Sequence, residues 1–150
     1  MESIVTQLIS GTLGSLGFSL IFNVRKKYLI PAALGGLLAW GVYLLAIRLS
    51  GIDVLIATVI ASVCCQIYSE IFARIYKTPT TVFVIPAVVP LIPGGSLYNT
   101  MYAAVMKDWV QFHAYGVQTL LGTLGIAIGL SFVSGILFVA VNHAKRKASK

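Results

Sequence analysis

The chain has 150 residues, of which 58% are hydrophobic and 10% charged, and its mean hydropathy is +0.93. A soluble domain carries roughly 25% charge, so there is too little polar surface here to cover a globule, and the composition excludes a soluble protein. The formal charge of +7 would suggest nucleic acid in a soluble domain, but these cations sit at the ends of apolar runs, where they read as topology signals and contacts for anionic lipids, with no nucleic acid as partner.

The expected fold class is all-α, a polytopic membrane helix bundle forming a single domain over residues 1–150. Glu2 stands where a signal peptide would carry basic residues, so the first apolar run, 3–24, is expected to remain as a helix. Arg25-Lys26-Lys27 ends it, and the second span, 28–47, ends at Arg48. A short turn follows, with Asp53 as N-cap of the third span, 54–76. The fourth span, 80–106, is interrupted by proline and glycine. Lys107-Asp108 and a polar-aromatic stretch to Tyr115 precede the fifth span, 117–141, and a basic tail, 142–150. Each run meets the roughly 20-residue requirement for a crossing.

Five crossings sort the 11 lysines and arginines by side. Arg25, Lys26, Lys27, Arg74, Lys77, Lys145, Arg146, Lys147 and Lys150 fall on one side; only Arg48 and Lys107 fall on the other. Nine against two is a strong positive-inside bias. It predicts an inner-membrane protein with its N-terminus outside and its C-terminus in the cytoplasm. It also predicts that the broken span crosses fully, because a re-entrant loop would put the C-terminal basic cluster outside and the bias would be lost.

Pro86, Pro90 and Pro93, followed by Gly94-Gly95, interrupt the fourth span. Proline lacks an amide donor and clashes with the carbonyl four residues back, and backbone freed in hydrocarbon must be buried or face water. Broken spans of this kind build solute sites in transporters. An unwound stretch is expected at 93–95, near mid-membrane at about 1.5 Å per residue, with glycine serving a positive φ. Ser96 is the expected N-cap of a second half-helix whose amino end attracts a carboxylate. Asn99 and Tyr102, three apart, share a face there. The predicted solute-binding set is therefore Pro93, Gly94, Gly95, Ser96, Asn99 and Tyr102. A kinked helix needed only for packing is the competing reading.

The third span carries Thr58, Ser62, Gln66, Ser69 and Glu70 at helical spacing, a polar stripe expected to line a path or turn inward. Glu70 lies four residues before Arg74. It is either an interfacial ion pair with a snorkelling arginine or a proton-coupling carboxyl. Thr6, Gln7, Thr119 and Thr123 are further lining candidates, although such hydroxyls often bond their own helix. Glycines in the first, second and fifth spans, including Ser10-x-x-x-Gly14 and Gly125-x-x-x-Gly129, allow close helix approach. They suggest packing against further helices, from copies of this chain or another subunit. Cys64 and Cys65 read as buried thiols, and His113 and His143 have no ligand partner at useful spacing. No metal or cofactor is expected. Ser96 lacks a histidine at membrane depth to activate it, and no nucleotide-binding loop is present, so neither an intramembrane enzyme nor an ATP-driven pump is expected.

At Pro86-x-x-x-Pro90-x-x-Pro93-Gly94-Gly95-x-x-Tyr98 the chain resembles the threonine/serine exporter family, and more narrowly the small five-helix subunit of its split form. The resemblance covers essentially the whole chain. It implies a secondary exporter of small polar metabolites, threonine- or serine-like amino acids or dicarboxylates such as succinate. It also implies a larger membrane partner that supplies the other five helices. The alternative is a homo-oligomeric passive channel or membrane scaffold.

Overall fold

A computed structural model describes residues 4–148, with side chains described except at 49–50 and 140–148. Lys145, Arg146, Lys147 and Lys150 of the charge count, and His143, therefore lie outside the described side chains. The described chain is helical throughout: α1 Ile4–Ile21, α2 Lys26–Ser50, α3 Val54–Tyr76, α4 Thr81–Val88, a 3₁₀ turn Val89–Leu91, α5 Gly94–Val105 and α6 Trp109–Ala148. Helices α1, α2 and α3, together with Trp109–Val139 of α6, are each long and apolar enough to cross a membrane. Thr81–Leu91 and Gly94–Val105 form a pair bent by 52°, a fifth crossing if the pair is one span.

The turns close by one device. Asn23, Lys77 and Lys107 take left-handed φ of 53°, 51° and 57°. The amide after each then reaches back to the carbonyl five residues earlier: Val24 to Ser19 at 3.0 Å, Thr78 to Ala73 at 3.0 Å, and Asp108 to Ala103 at 2.9 Å. This is the Schellman closure, which satisfies carbonyls the helix end leaves free. Among the described residues Gly51, φ 58°, is the one glycine with a left-handed φ, and its own amide bonds the Ile47 carbonyl at 3.2 Å.

Most glycines that meet a neighbour pack instead. A Cβ on Gly125 would lie 2.8 Å from Thr58 Cβ and 2.9 Å from the Leu55 carbonyl, and one on Gly129 would meet Ser62 Oγ. Helices α3 and α6 thus touch almost backbone to backbone. On the other side Gly35 sits against Ala87 and Tyr68, and Gly36 against Ser15. Helix α3 occupies the middle, packed on α2, α4 and α6. Its buried residues are mostly small, among them Ala57, Ala61, Ser62, Cys65, Ser69 and Ala73, with Gln66 the exception in size. Without a hydrophobic drive between helices in lipid, close approach of small side chains holds such a bundle. The end bearing Arg25 and Lys77 is closed by an aromatic group, in which Tyr28, Tyr76 and Phe83 meet at 5.3–5.9 Å.

Two boundaries differ from expectation. Helix α6 starts at Trp109, well before 117, because Asp108 Oδ1 accepts the Gln111 amide at 3.1 Å and caps it. Asp53 does precede α3, but its carboxylate makes no cap bond; only its backbone carbonyl is used, by the Ala57 amide at 3.0 Å.

Candidate functional site at the broken helix

The break follows from three prolines. Pro86 is tolerated inside α4, and Pro90 coincides with the tightening into a 3₁₀ turn. Pro93 then forces its predecessor out of the helical region, and Ile92 adopts φ −61°, ψ 124°. Pro93 itself, at φ −75°, ψ 55°, is the centre of an inverse γ-turn, with the Gly94 amide bonding Ile92 O at 2.7 Å. The disruption therefore falls on Ile92 and Pro93 rather than on 93–95. Gly94 and Gly95 are the first two residues of α5, and neither has a positive φ. Pro93, not Ser96, holds the N-cap position. Ser96 occupies the third helical position, where its hydroxyl lies 3.5 Å from Gln118 Oε1. Helices start here because the chain has just left an extended residue, and no side-chain cap is needed.

Around this break lies a cavity of about 250 Å³, lined by Pro90 to Ser96. Trp40 and Tyr43 of α2 close one side, stacked at 5.0 Å. Val54 and Thr58 of α3 and Gln118 and Gly122 of α6 close the rest. A Cβ on Gly122 would lie 3.3 Å from the Pro93 ring, so α6 passes directly beneath the break. The α3 residues involved come from its first two turns, which places the cavity toward the end opposite Arg25 and Lys77. Amides at the second and third helical positions have no carbonyl within their own helix to bond; here those positions are Gly95 and Ser96. Gly94 and Gly95 have nothing within 4 Å of an added Cβ, so space stands open beside that backbone.

The structure gathers Pro93, Gly94, Gly95, Ser96 and Thr58 at one cavity. Asn99 and Tyr102 lie beyond it. Asn99 is half-buried, while Tyr102 is exposed and stacks on Tyr98 with ring centres 6.4 Å apart. The remaining stripe residues form a helix seam. Ser62 Oγ bonds the Thr58 carbonyl at 2.8 Å and reaches Gly125 O on α6 at 3.2 Å. Gln66 Nε2 donates to Ser134 Oγ at 3.2 Å, and Ser69 back-bonds to Cys65 O at 2.8 Å. The polarity of Ser62, Gln66 and Ser69 serves α3 and α6, which the sequence spacing alone does not reveal. Thr119 and Thr123 likewise bond their own helix, at 2.8 and 2.7 Å.

Glu70 sits at the other end. Its Oε1 accepts a hydrogen bond from Thr80 Oγ1 at 3.1 Å, and its Oε2 is 3.9 Å from Arg74 Nε. Thr80 directly precedes α4, so Glu70 ties α3 to the start of the broken helix. Gln118, Trp40 and Tyr43 are the cavity residues that the sequence reading passed over. Gln118 did carry a signal: it lies four residues before Gly122, hence on the face that approaches Pro93.

Apolar helices of membrane-spanning length, with a bent pair beside a small cavity of mixed lining, are those of a multi-pass membrane protein. Residues 7–136 match the family described as Threonine/Serine exporter, ThrE, and the chain belongs to that family, which is one of transporters rather than enzymes. No solved structure matches it.

Proposed function

We propose that this chain is a membrane subunit of a secondary exporter for small polar metabolites, threonine- or serine-like amino acids or dicarboxylates such as succinate. In this reading it works with a larger membrane partner in the inner membrane. The cavity at the broken helix carries the proposal. At about 250 Å³ it is smaller than the roughly 300–1,000 Å³ of sites for drug-sized ligands, and it suits a solute of few heavy atoms. The start of α5 offers free amides and the positive end of a helix dipole, the complement of a carboxylate. All the solutes considered carry one. Thr58, Ser96 and Gln118 stand around it as hydrogen-bonding groups. Asn99 and Tyr102 would meet solute farther along α5, on its way from the cavity.

Two surfaces support a partner. Helix α5 packs chiefly on α6, leaving Tyr98, Met101, Tyr102 and Val105 exposed. On α1, Gly14 and Gly17 have nothing within 4 Å of an added Cβ. Glu70 supports proton coupling, since its hydrogen-bond donor Thr80 leads into the helix whose angle would change during alternating access.

The test is efflux of labelled threonine and succinate from preloaded cells that express this chain with the larger protein co-purified from its native membrane. Efflux of either solute should stop when the proton gradient is collapsed, and should be lost in Gly95→Leu although the protein still inserts. Efflux indifferent to the gradient would favour the passive, homo-oligomeric channel. Full efflux in Gly95→Leu would remove the cavity from the mechanism.

A further inference from the structure

A second cavity, of about 490 Å³, lies at the opposite end of α4, between the α1–α2 turn and the α3–α4 turn. Its lining is divided. Arg25 and Lys77 bring two cations, with Asn23, Thr78 and Thr81 beside them, whereas Phe22, Val82 and Ile85 bring apolar surface. Phe22 and Ile85 are 54% and 41% exposed, so the apolar wall continues onto the outer surface of the bundle. The chain has only four acidic residues, and none lines this cavity. Glu70 is already engaged by Arg74 and Thr80. Arg25 and Lys77 have no ion-pair partner among the described residues.

The backbone adds a separate observation. Lys77 holds the left-handed closing position of α3, φ 51°, where glycine is favoured and a side chain is strained. A lysine there is carried at a local cost, as at Lys107, and here it lines the cavity. Nearby, Lys27 Nζ lies 4.6 Å from the centre of the Tyr28 ring, and Tyr28 also lines the cavity.

We propose that this cavity is a binding site for a phosphate-bearing anion, seated as the headgroup of an acidic phospholipid. The phosphate would rest between Arg25 and Lys77, and the acyl chains would leave along Phe22 and Ile85. The split of the lining into a cationic half and an apolar half favours an anionic amphiphile over a free anion. So does its place at the end of the bundle where most described cations gather. Because α4 supplies Thr81, Val82, Ile85 and Pro86 to the wall, a bound lipid would brace the first half of the broken helix.

The experiment uses the full chain in phosphatidylcholine nanodiscs, titrated with phosphatidylglycerol and read as bound lipid by native mass spectrometry. Loss of one cation near an anionic headgroup weakens binding roughly fivefold. Arg25→Gln and Lys77→Gln should each show that loss, and the double variant a larger one. Arg48→Gln with Lys107→Gln, which removes equal charge at the other end, should bind as the parent does. Lys77→Gly guards against misfolding as an explanation, because it relieves the strained φ while removing the cation. It should bind lipid less tightly yet melt no lower than the parent. Equal phosphatidylglycerol retention by the parent and the Arg25/Lys77 double variant would overturn the proposal. Full displacement of the lipid by millimolar inorganic phosphate would overturn its assignment to a lipid.

Discussion

Gly95 is the residue at which two accounts of the broken helix separate. If glycine were needed for an unusual φ, even alanine would be harmful there. Its φ is not positive, and nothing lies within 4 Å of an added Cβ. Gly95→Ala should therefore preserve helical content and most export, while Gly95→Leu should fill the cavity and abolish export at normal expression. Measuring efflux and membrane abundance of both variants decides between steric occlusion and backbone strain. Glu70 offers a second test. Glu70→Gln keeps an acceptor for Thr80 but loses the charge facing Arg74. If the carboxyl carries the coupled proton, export should persist and its dependence on external pH should flatten; an unchanged profile would leave Glu70 as an ion pair only. Lys107 shows what a non-glycine costs at a closing position. Lys107→Gly should stabilise the detergent-solubilised protein by about 1 kcal/mol by relieving a left-handed φ, seen as a higher Tm.

At the scale of elements, the α3–α6 seam and the free face of α1 use the same small residues to opposite ends. Gly129 has Ser62 Oγ in the place a Cβ would take, and the Val59 carbonyl at 2.8 Å. Gly129→Leu must push α6 off α3 and should destabilise the bundle by about 1–3 kcal/mol as overpacking, measurable by denaturant unfolding in micelles. Gly14 has no neighbour within 4 Å. Gly14→Leu should leave the isolated chain as stable as before, and should reduce co-purification of the larger partner if that face is the joint. Much of the element pattern was legible in the sequence, because hydropathy and proline act locally. Arg25, Lys77 and Lys107 all sit at span ends as read. The role of Asp108 was missed, since a single capping carboxylate before Trp109 competes poorly with the polar look of residues 109–115.

For the molecule as a whole, the basic residues at the Arg25–Lys77 end predict its orientation. A C-terminal fluorescent reporter should glow in the cytoplasm, and an N-terminal tag should be reached by antibody in intact cells. An N-terminus protected from outside would refute the five-crossing arrangement. The sequence by itself determined that the chain is a helical membrane protein and that its proline-rich segment breaks near Pro93. Composition, run length and the missing amides of proline decide those points without reference to neighbours. Which polar residues line the cavity was decided only by the tertiary structure. Thr58, Ser62, Gln66 and Ser69 share one helical stripe, yet only Thr58 reaches the cavity; Ser62 and Gln66 meet α6 at Gly129 and Ser134, and Ser69 bonds back to its own helix. A stripe fixes the direction in which side chains point; the helix that arrives opposite, from some 60 residues away in the chain, fixes what they meet.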